Sequence, residues 1–493
     1  MPISYMARRG PRLTCSGTRR TAHRAVAEGG TRHRGTARKE IGQAVANEMS
    51  TRRLGIIVGG GPAPGINAVI GAATIEAVNR GFEVYGIYDG FQWLASEAFA
   101  PEVHAQRLRI TNVARIHFEG GSILRTSRTS LLQAEKAAID KPVAPNVKRI
   151  SVVLANLDRM GIDHLLTIGG DDTALSARFV CDAAEQRIRL VHVPKTIDND
   201  LPLPHDVPTF GFSTARYIGT NLVKNLMRDS QTTGRWYFVK TMGRSAGWLA
   251  STIGLSVGAT VTLIPEEFPT RIRLRYLLDV LEGAILKRRV QGRPDGVALL
   301  AEGLVYRLGD VGELAAVLGH AVDVDAVGNP KLADIDLEGL VRDEIKARFK
   351  ARGQKLDIVA LDLGYELRSA DPTPFDMGYC RALGYYSIWM LMNGQDHAAG
   401  RMVSIVNGNL EPIDLHALID PATNRTRIRQ VDVRSDMYRV ARAYQIRLER
   451  ADLEDPEMLA RLASEAQMSP DEFLARFQRA ATRMVDGLPE AHE

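Results

Sequence analysis

From Leu54 onward the chain repeats one unit: a short β-branched run, a Gly-rich turn, then a segment with helical apolar spacing. LGIIV at 54–58 opens the series and GGGPAPG is its turn. Ile66, Val69, Ile70, Ala73 and Ala77 then follow i, i+3, i+4, i+7 and i+11 up to Gly81, a predicted helix stop. EVYGIYD resumes the strand pattern. The unit returns at HLLTI with GGDDT and a helix through Cys181, at RLVHV, and at WYFVKT with MGRSAG, a further helix and TVTLI. GVALLA and LDIVALDL are the predicted final strands. Alternation of this kind predicts an α/β protein with mainly parallel sheets covered by helices.

At 493 residues the chain has length for two or three domains with real cores, and 45 % hydrophobic with 25 % charged residues is an ordinary globular balance. No run approaches eighteen apolar residues and the N-terminus lacks a secretory apolar core, so the default address is the cytoplasm. The three cysteines, Cys15, Cys181 and Cys380, are far apart, which excludes a disulfide framework and the CxxC zinc or redox spacings. The net charge of +5 points to nucleic acid only until it is located. Residues 1–50 carry a net +7, leaving the remainder at −2.

That basic leader, rich in Arg, Gly and Thr, is expected to be disordered, since it cannot bury enough apolar surface to fold. Its glycines argue against the amphipathic helix of a transit peptide, and Met49 suggests translation from an early start codon. A charged stretch at about 307–352 reads as an inserted helical excursion. The polar helical residues 431–493 read as a surface or subunit-contact appendage.

The chemistry gathers where strands end. GGGPAPG between strand and helix is a phosphate cradle, or a tight turn and nothing more. In GGDDT, Asp171 and Asp172 leave a strand end, where a carboxylate suits Mg²⁺ with phosphate oxygens completing its shell better than it suits a mere cap. PKTIDND at 194–200 concentrates Lys195, Thr196, Asp198 and Asp200. Its apolar members Pro194, Ile197 and Leu201 hold the carboxylates against the sheet as a base and its neighbour. Arg128 ends GGSILRTSR, Arg244 lies in TMGRSAG, and Tyr365 and Arg368 lie in LGYELR; arginines at successive strand ends suit a substrate with more than one phosphate. His192, inside a buried-looking strand, is expected to be a satisfied core residue. The residues alone describe a magnesium-dependent phosphoryl transferase with an aspartate base.

GGGPAPGIN, GGSILRTSR, IGGDDT, PKTIDND, KTMGRSAG, AEGL and LGYELRSADPTPFD occur in this order, and together they resemble the 6-phosphofructokinase family from about Leu54 to about residue 430. The resemblance implies two Rossmann-like domains. Residues 52–211 with about 374–430 would form the phosphoryl-donor domain, and 212–373, with the insertion, the fructose 6-phosphate domain. By position, Gly60 and Arg128 would touch the donor, Asp171 would bind Mg²⁺, and Asp198 would take the proton of the sugar 1-hydroxyl with Thr196 and Asp200 beside it. Met242, Gly243, Arg244, Glu302, Tyr365 and Arg368 would hold fructose 6-phosphate. Arg235 matches an arginine that reaches a neighbouring subunit's sugar phosphate, implying a homodimer or homotetramer. A second intersubunit arginine of the family is Val359 here.

ATP-using members carry glycine at the positions of Asp172 and Lys195, and Asp and Lys there are the pattern of the pyrophosphate-dependent branch. The expected activity is reversible phosphoryl transfer from pyrophosphate to fructose 6-phosphate, with ATP-dependent 6-phosphofructokinase as the alternative and sedoheptulose 7-phosphate open as a further acceptor. A non-catalytic phosphate- or nucleic-acid-binding protein has no need of a buried Asp198. A dinucleotide oxidoreductase would carry GxGxxG in the first turn.

Overall fold

A computed structural model describes residues 52–133, 143–204, 207–309, 311–319, 321, 336–393 and 400–482. The basic leader and part of the expected insertion lie outside them.

The first half contains β1 (Arg53–Val58), α1 (Ile66–Asn79), β2 (Glu83–Ile87), β3 (Ala105–Leu108), α2 (Val147–Met160), β4 (His164–Gly169), α3 (Asp171–Ala184), β5 (Arg189–Thr196) and β6 (Phe210–Gly211). It continues through α4 (Phe212–Thr233), β7 (Trp236–Thr241), α5 (Trp248–Val257), β8 (Val261–Leu263), α6 (Leu274–Val290), β9 (Gly296–Ala301), α7 (Leu337–Ala351) and β10 (Ile358–Leu363). Helix α8 (Pro374–Asn393) then leads to β11 (Arg401–Met402) and β12 (Ile413–Asp414), and α9 (Asp436–Ala443), α10 (Pro456–Glu465) and α11 (Pro470–Phe477) close the chain.

Two sheets result. The larger has the order β12-β11-β5-β4-β1-β2-β3 with β6 beside the end of β5, and the smaller has β10-β7-β9-β8. All pairings in the smaller sheet are parallel, and in the larger one only β2–β3 and β11–β12 are antiparallel. The predicted strands are observed, but GVALLA and LDIVALDL are not the final ones: β11 and β12 follow them and extend the larger sheet beside β5. In α1, Ile66, Val69, Ile70, Ala73 and Ala77 are fully buried, and Gly81 takes the positive φ of 85° that ends the helix turn.

Register brings the motifs together. Gly169 pairs with Pro194, so the GGDDT turn leaves β4 beside the PKTIDND segment leaving β5. In the smaller sheet Thr241 lies level with Ala301 and with Leu363, so Met242, Glu302 and Gly364 leave three adjacent strands at one level. An open parallel sheet keeps its crevice at these carboxyl ends.

Two further expectations need correction. The stretch at 307–352 is no mere excursion, because α7 carries Leu337, Val341, Ile345 and Phe349, all fully buried, at i, i+4, i+8 and i+12. The C-terminal segment is likewise no surface appendage. Leu462, Phe473 and Phe477 are fully buried in the core of the smaller sheet, with the Phe473 and Phe477 rings 4.6 Å apart. Both segments read as peripheral because they are charged and polar, and the structure turns part of that charge inward. Arg348, Arg352 and Arg476 converge on the fully buried Glu282 of α6 at 2.9, 2.5 and 2.5 Å. Removing one partner from such a buried ionic cluster is strongly destabilising, so it ties α7 and α11 to α6.

Phe473→Ala should accordingly lower unfolding stability by about 3–5 kcal/mol, read from denaturant titration. A loss below about 1 kcal/mol would restore the reading of these helices as an appendage.

Candidate active site

The strand ends enclose a cleft of about 410 Å³. Gly60, Arg128, Asp171, Asp172, Lys195, Thr196, Asp198, Met242, Arg244, Glu302, Tyr365 and Arg368 all line it. Twelve residues named from sequence thus share one cavity. Asp200 and Gly243 stand immediately behind it: the Asp200 carboxylate lies 4.0 Å from the Arg244 guanidinium, and the Gly243 N–H donates to Glu302 at 3.3 Å. Arg235 is not at this cleft. It precedes β7, one six-residue strand, or about 20 Å, away from Met242.

The first Gly turn is fixed from both sides. Gly59 donates to the Ile168 carbonyl at 2.8 Å, Gly60 donates to the Ser127 carbonyl at 2.8 Å, and the Thr126 hydroxyl donates to the Gly60 carbonyl at 2.6 Å. Gly60 adopts φ 83°, and a Cβ on Gly61 would overlap the Arg368 guanidinium. Sequence reasoning missed Gly61, although it lies inside the quoted GGGPAPG. Glycine at 60 suits the positive φ, and glycine at 61 lets Arg368 reach across the turn without displacement, with the Lys195 ammonium donating to the Gly61 carbonyl.

Lys195 is 4 % exposed at the end of β5, and burial pushes its ammonium down to about 8, against the pull of Asp198. Asp198 is 7 % exposed. Its backbone N–H donates to the Thr196 hydroxyl at 3.0 Å, while its Oδ1 is buried with no hydrogen-bond partner among the described residues. Burial holds its carboxyl above the usual range; Arg244 opposes that shift and Glu302 adds to it. Asp200 is raised to about 7 by burial and then by Asp198 and Asp171.

Arg244 organises these carboxylates. Its guanidinium donates to Asp171 at 2.6 Å, and that pairing is the main reason its own proton is held more tightly than usual. Arg244 itself has φ 53°, and its N–H, with that of Gly243, donates to Glu302. Two backbone donors on one carboxylate lock the MGR turn against the end of β9. Arg368 lies over the Tyr365 ring at 5.4 Å, and burial, then the nearby Arg128, makes its proton easier to lose than usual. Guanidiniums crowded in this way lower their repulsion by binding an anion.

Asp171 and Asp172 occupy the first turn of α3, where the helix dipole favours negative charge. Neither caps it, since Gly170 is the N-cap and no side chain bonds there. Among the described residues no cluster of three or more His, Cys, Asp or Glu could hold a metal by itself. Asp171, 24 % exposed at the cleft wall, fits the one-carboxylate pattern in which substrate phosphates and water complete a Mg²⁺ shell. His192 is a satisfied core residue, as expected: Nδ1 meets the Thr167 hydroxyl at 2.8 Å and Nε2 the Gly169 carbonyl at 3.0 Å, and burial takes it down to about 3.

Comparison with known proteins gives one answer. Residues 53–391 match the family described as Phosphofructokinase. A Thermotoga maritima protein named pyrophosphate--fructose 6-phosphate 1-phosphotransferase is 50 % identical over 425 residues, covering 86 % of this chain and 98 % of its own. A Naegleria fowleri protein of the same name is 43 % identical over 433 residues, covering 86 % and 95 %. The crystal structure of pyrophosphate-dependent phosphofructokinase from Nitrosospira multiformis superposes with a TM-score of 0.56 at 16 % identity, covering 80 % of this chain and 92 % of that one. With strand order, motif order and these likenesses in agreement, the chain belongs to the phosphofructokinase family.

Proposed function

We propose that the protein transfers a phosphoryl group reversibly from pyrophosphate to the 1-hydroxyl of fructose 6-phosphate, giving fructose 1,6-bisphosphate and phosphate. The observation that carries this is the buried Asp198 with its unpartnered Oδ1, in one cleft with Lys195, Arg128, Arg368 and Asp171. In the forward direction the sugar oxygen attacks the terminal phosphorus, its proton passes to Asp198, and the bridging P–O bond breaks. A carboxyl raised by burial is a better proton acceptor than a solvated one. Lys195 meets the charge that develops on the departing phosphate, while Gly60 and Arg128 hold the donor. Mg²⁺ at Asp171 would neutralise phosphate oxygens. Thr196 fixes the base, and Asp200 shares its field. Met242, Gly243, Arg244, Glu302, Tyr365 and Arg368 orient the sugar phosphate.

The domain division at 52–211 with 374–430 and 212–373 belongs to this reading. So does assembly as a homodimer or homotetramer, supported by Arg235 lying a strand's length from its own cleft. No helix among the described residues is long and apolar enough to cross a membrane.

Asp172 decides the donor. It is exposed and lines the cleft, and on this reading it stands beside the α-phosphate of ATP, beyond the point where pyrophosphate ends. Like charges about 4 Å apart at an effective dielectric of about 20 repel by roughly 4 kcal/mol, about a thousandfold in affinity. Asp172→Gly should therefore raise kcat/KM with ATP and lower it with pyrophosphate, as a coupled assay would report. An unchanged donor ratio would contradict the electrostatic account.

Asp198→Asn keeps the shape and loses the acceptor, and it should cost about 10²–10⁴ in kcat with little change in KM. A variant within a few-fold of the parent would transfer the role of base to another group.

Lys195 gives a pH test. Its folded value of about 8 lies below the ordinary 10.5. Under about pH 8 both folded and unfolded chains hold the proton, and the full cost of the buried ammonium is present. Between about 8 and 10.5 only the unfolded chain holds it, so stability gains with rising pH. Lys195→Met should thus melt higher than the parent at pH 7 in the ligand-free state, with the advantage shrinking through that window. A constant difference across the window would refute the assignment.

A further inference from the structure

The segment carrying Asp198 and Asp200 turns between them at Asn199, whose φ is 57°. Two like charges on either side of a left-handed residue do not hold that shape unaided. Part of the restraint is local: the Asn199 Oδ1 accepts the Thr209 N–H at 3.0 Å, and the Thr209 hydroxyl donates to the Thr196 carbonyl at 2.8 Å.

The rest comes from Arg429, 230 residues away. Its Nε donates to the Asn199 carbonyl at 3.1 Å, Nη1 to the Val207 carbonyl at 2.7 Å, and Nη2 to the Asn199 Oδ1. Its backbone N–H donates to the Asp200 carbonyl at 2.7 Å. Four donors of one residue thus close on Asn199, Asp200 and the far side of the same loop. The other face of Arg429 meets the sugar-binding turn. Trp248, first residue of α5 after the MGR turn, donates through its indole N–H to the Arg429 carbonyl at 3.0 Å, and its ring lies 5.5 Å from the guanidinium. Glu266 doubles the tie, accepting the Gly247 N–H at 2.9 Å and the Val431 N–H at 3.0 Å. Arg429 does not line the cleft.

We propose that Arg429 is a positioning residue for the phosphoryl transfer: it holds Asp198 against the sugar hydroxyl by clamping the Asn199 turn, and it fixes that turn relative to the Met242–Arg244 loop. The inference rests on the function proposed above. A planar five-donor guanidinium suits the task because three branches must reach divergent oxygens at once, which an ammonium cannot do. A loosened turn leaves every binding arginine in place but lets the base drift, and a displacement of about 1 Å at the reacting atoms can cost about a hundredfold.

The test is steady-state kinetics of the full chain, with turnover of the parent on pyrophosphate and fructose 6-phosphate read first. Absence of that turnover would count against the proposed function alone, and the variants would then be measured with ATP. Arg429→Gln should lower kcat by about a hundredfold with KM for both substrates within about threefold. The acid limb of its pH–rate profile should move to lower pH, as water reaches Asp198 while Arg244, Lys195, Arg368, Glu302 and Asp200 still face it. Arg429→Lys should fall between the two. A folded Arg429→Gln with kcat within about threefold of the parent, a loss expressed in KM with the pH profile unmoved, or failure of both variants to fold would each overturn the proposal.

Discussion

The unpartnered oxygen of Asp198 is the constraint around which the cleft is arranged. A buried carboxylate oxygen without a hydrogen-bond partner is costly, and like-charge repulsion from Glu302 and Asp200 adds to the cost, with Asp171 pressing on Asp200 in turn. Arg244 and Lys195 offset it: the half-exposed Arg244 is held by Asp171, whereas the burial of Lys195 is expensive in turn and leaves it with a depressed ammonium. Among the described residues the carboxylates of the cleft thus crowd about Arg244 and Lys195, while Arg128 and Arg368 crowd each other. On the proposed function, a phosphorylated substrate would relieve the crowding of the arginines and a magnesium ion that of the carboxylates, so that strain in the scaffold would be turned to binding and catalysis.

The fold makes this crowding possible. Parallel strands in register deliver Asp171 and Lys195 from the larger sheet, and Met242, Glu302 and Gly364 from the smaller one, each at its carboxyl end. The rigidity lies in the strands and the adaptability in the Gly turns. Helix α8 returns to pack on α1, and its buried Asp376 accepts the N–H groups of Gly211 and Thr214 at 3.0 and 2.8 Å, anchoring the start of α4 behind the catalytic segment. The C-terminal helices complete the smaller sheet's core, so α6 is covered on the side that its Glu282 would otherwise open to water.

Most of the scaffold and the site was legible because strand, Gly turn and helix alternate within short windows, and because chemistry at strand ends sits next to the glycines that make room for it. What was not legible depends on distance in the sequence. Arg348, Arg352 and Arg476 look like solvent-facing charges until α6 brings Glu282 between them. Gly61 looks interchangeable with its neighbours until Arg368 is seen to cross it. Arg429 and Glu266 carry no local signal, since their partners lie far along the chain and are mostly backbone carbonyl and amide groups. Arg235, read by resemblance as a sugar-phosphate ligand, lies a strand's length from the cleft of its own chain.

The central claim is that the donor is pyrophosphate, chosen by Asp172 and Lys195 at the mouth and floor of one cleft. The most direct measurement is the ratio of kcat/KM for pyrophosphate to that for ATP in the unmodified protein, with magnesium and fructose 6-phosphate saturating. The charge geometry at Asp172 predicts a preference for pyrophosphate of about a thousandfold. Equal efficiency with the two donors, or a preference for ATP, would contradict the account.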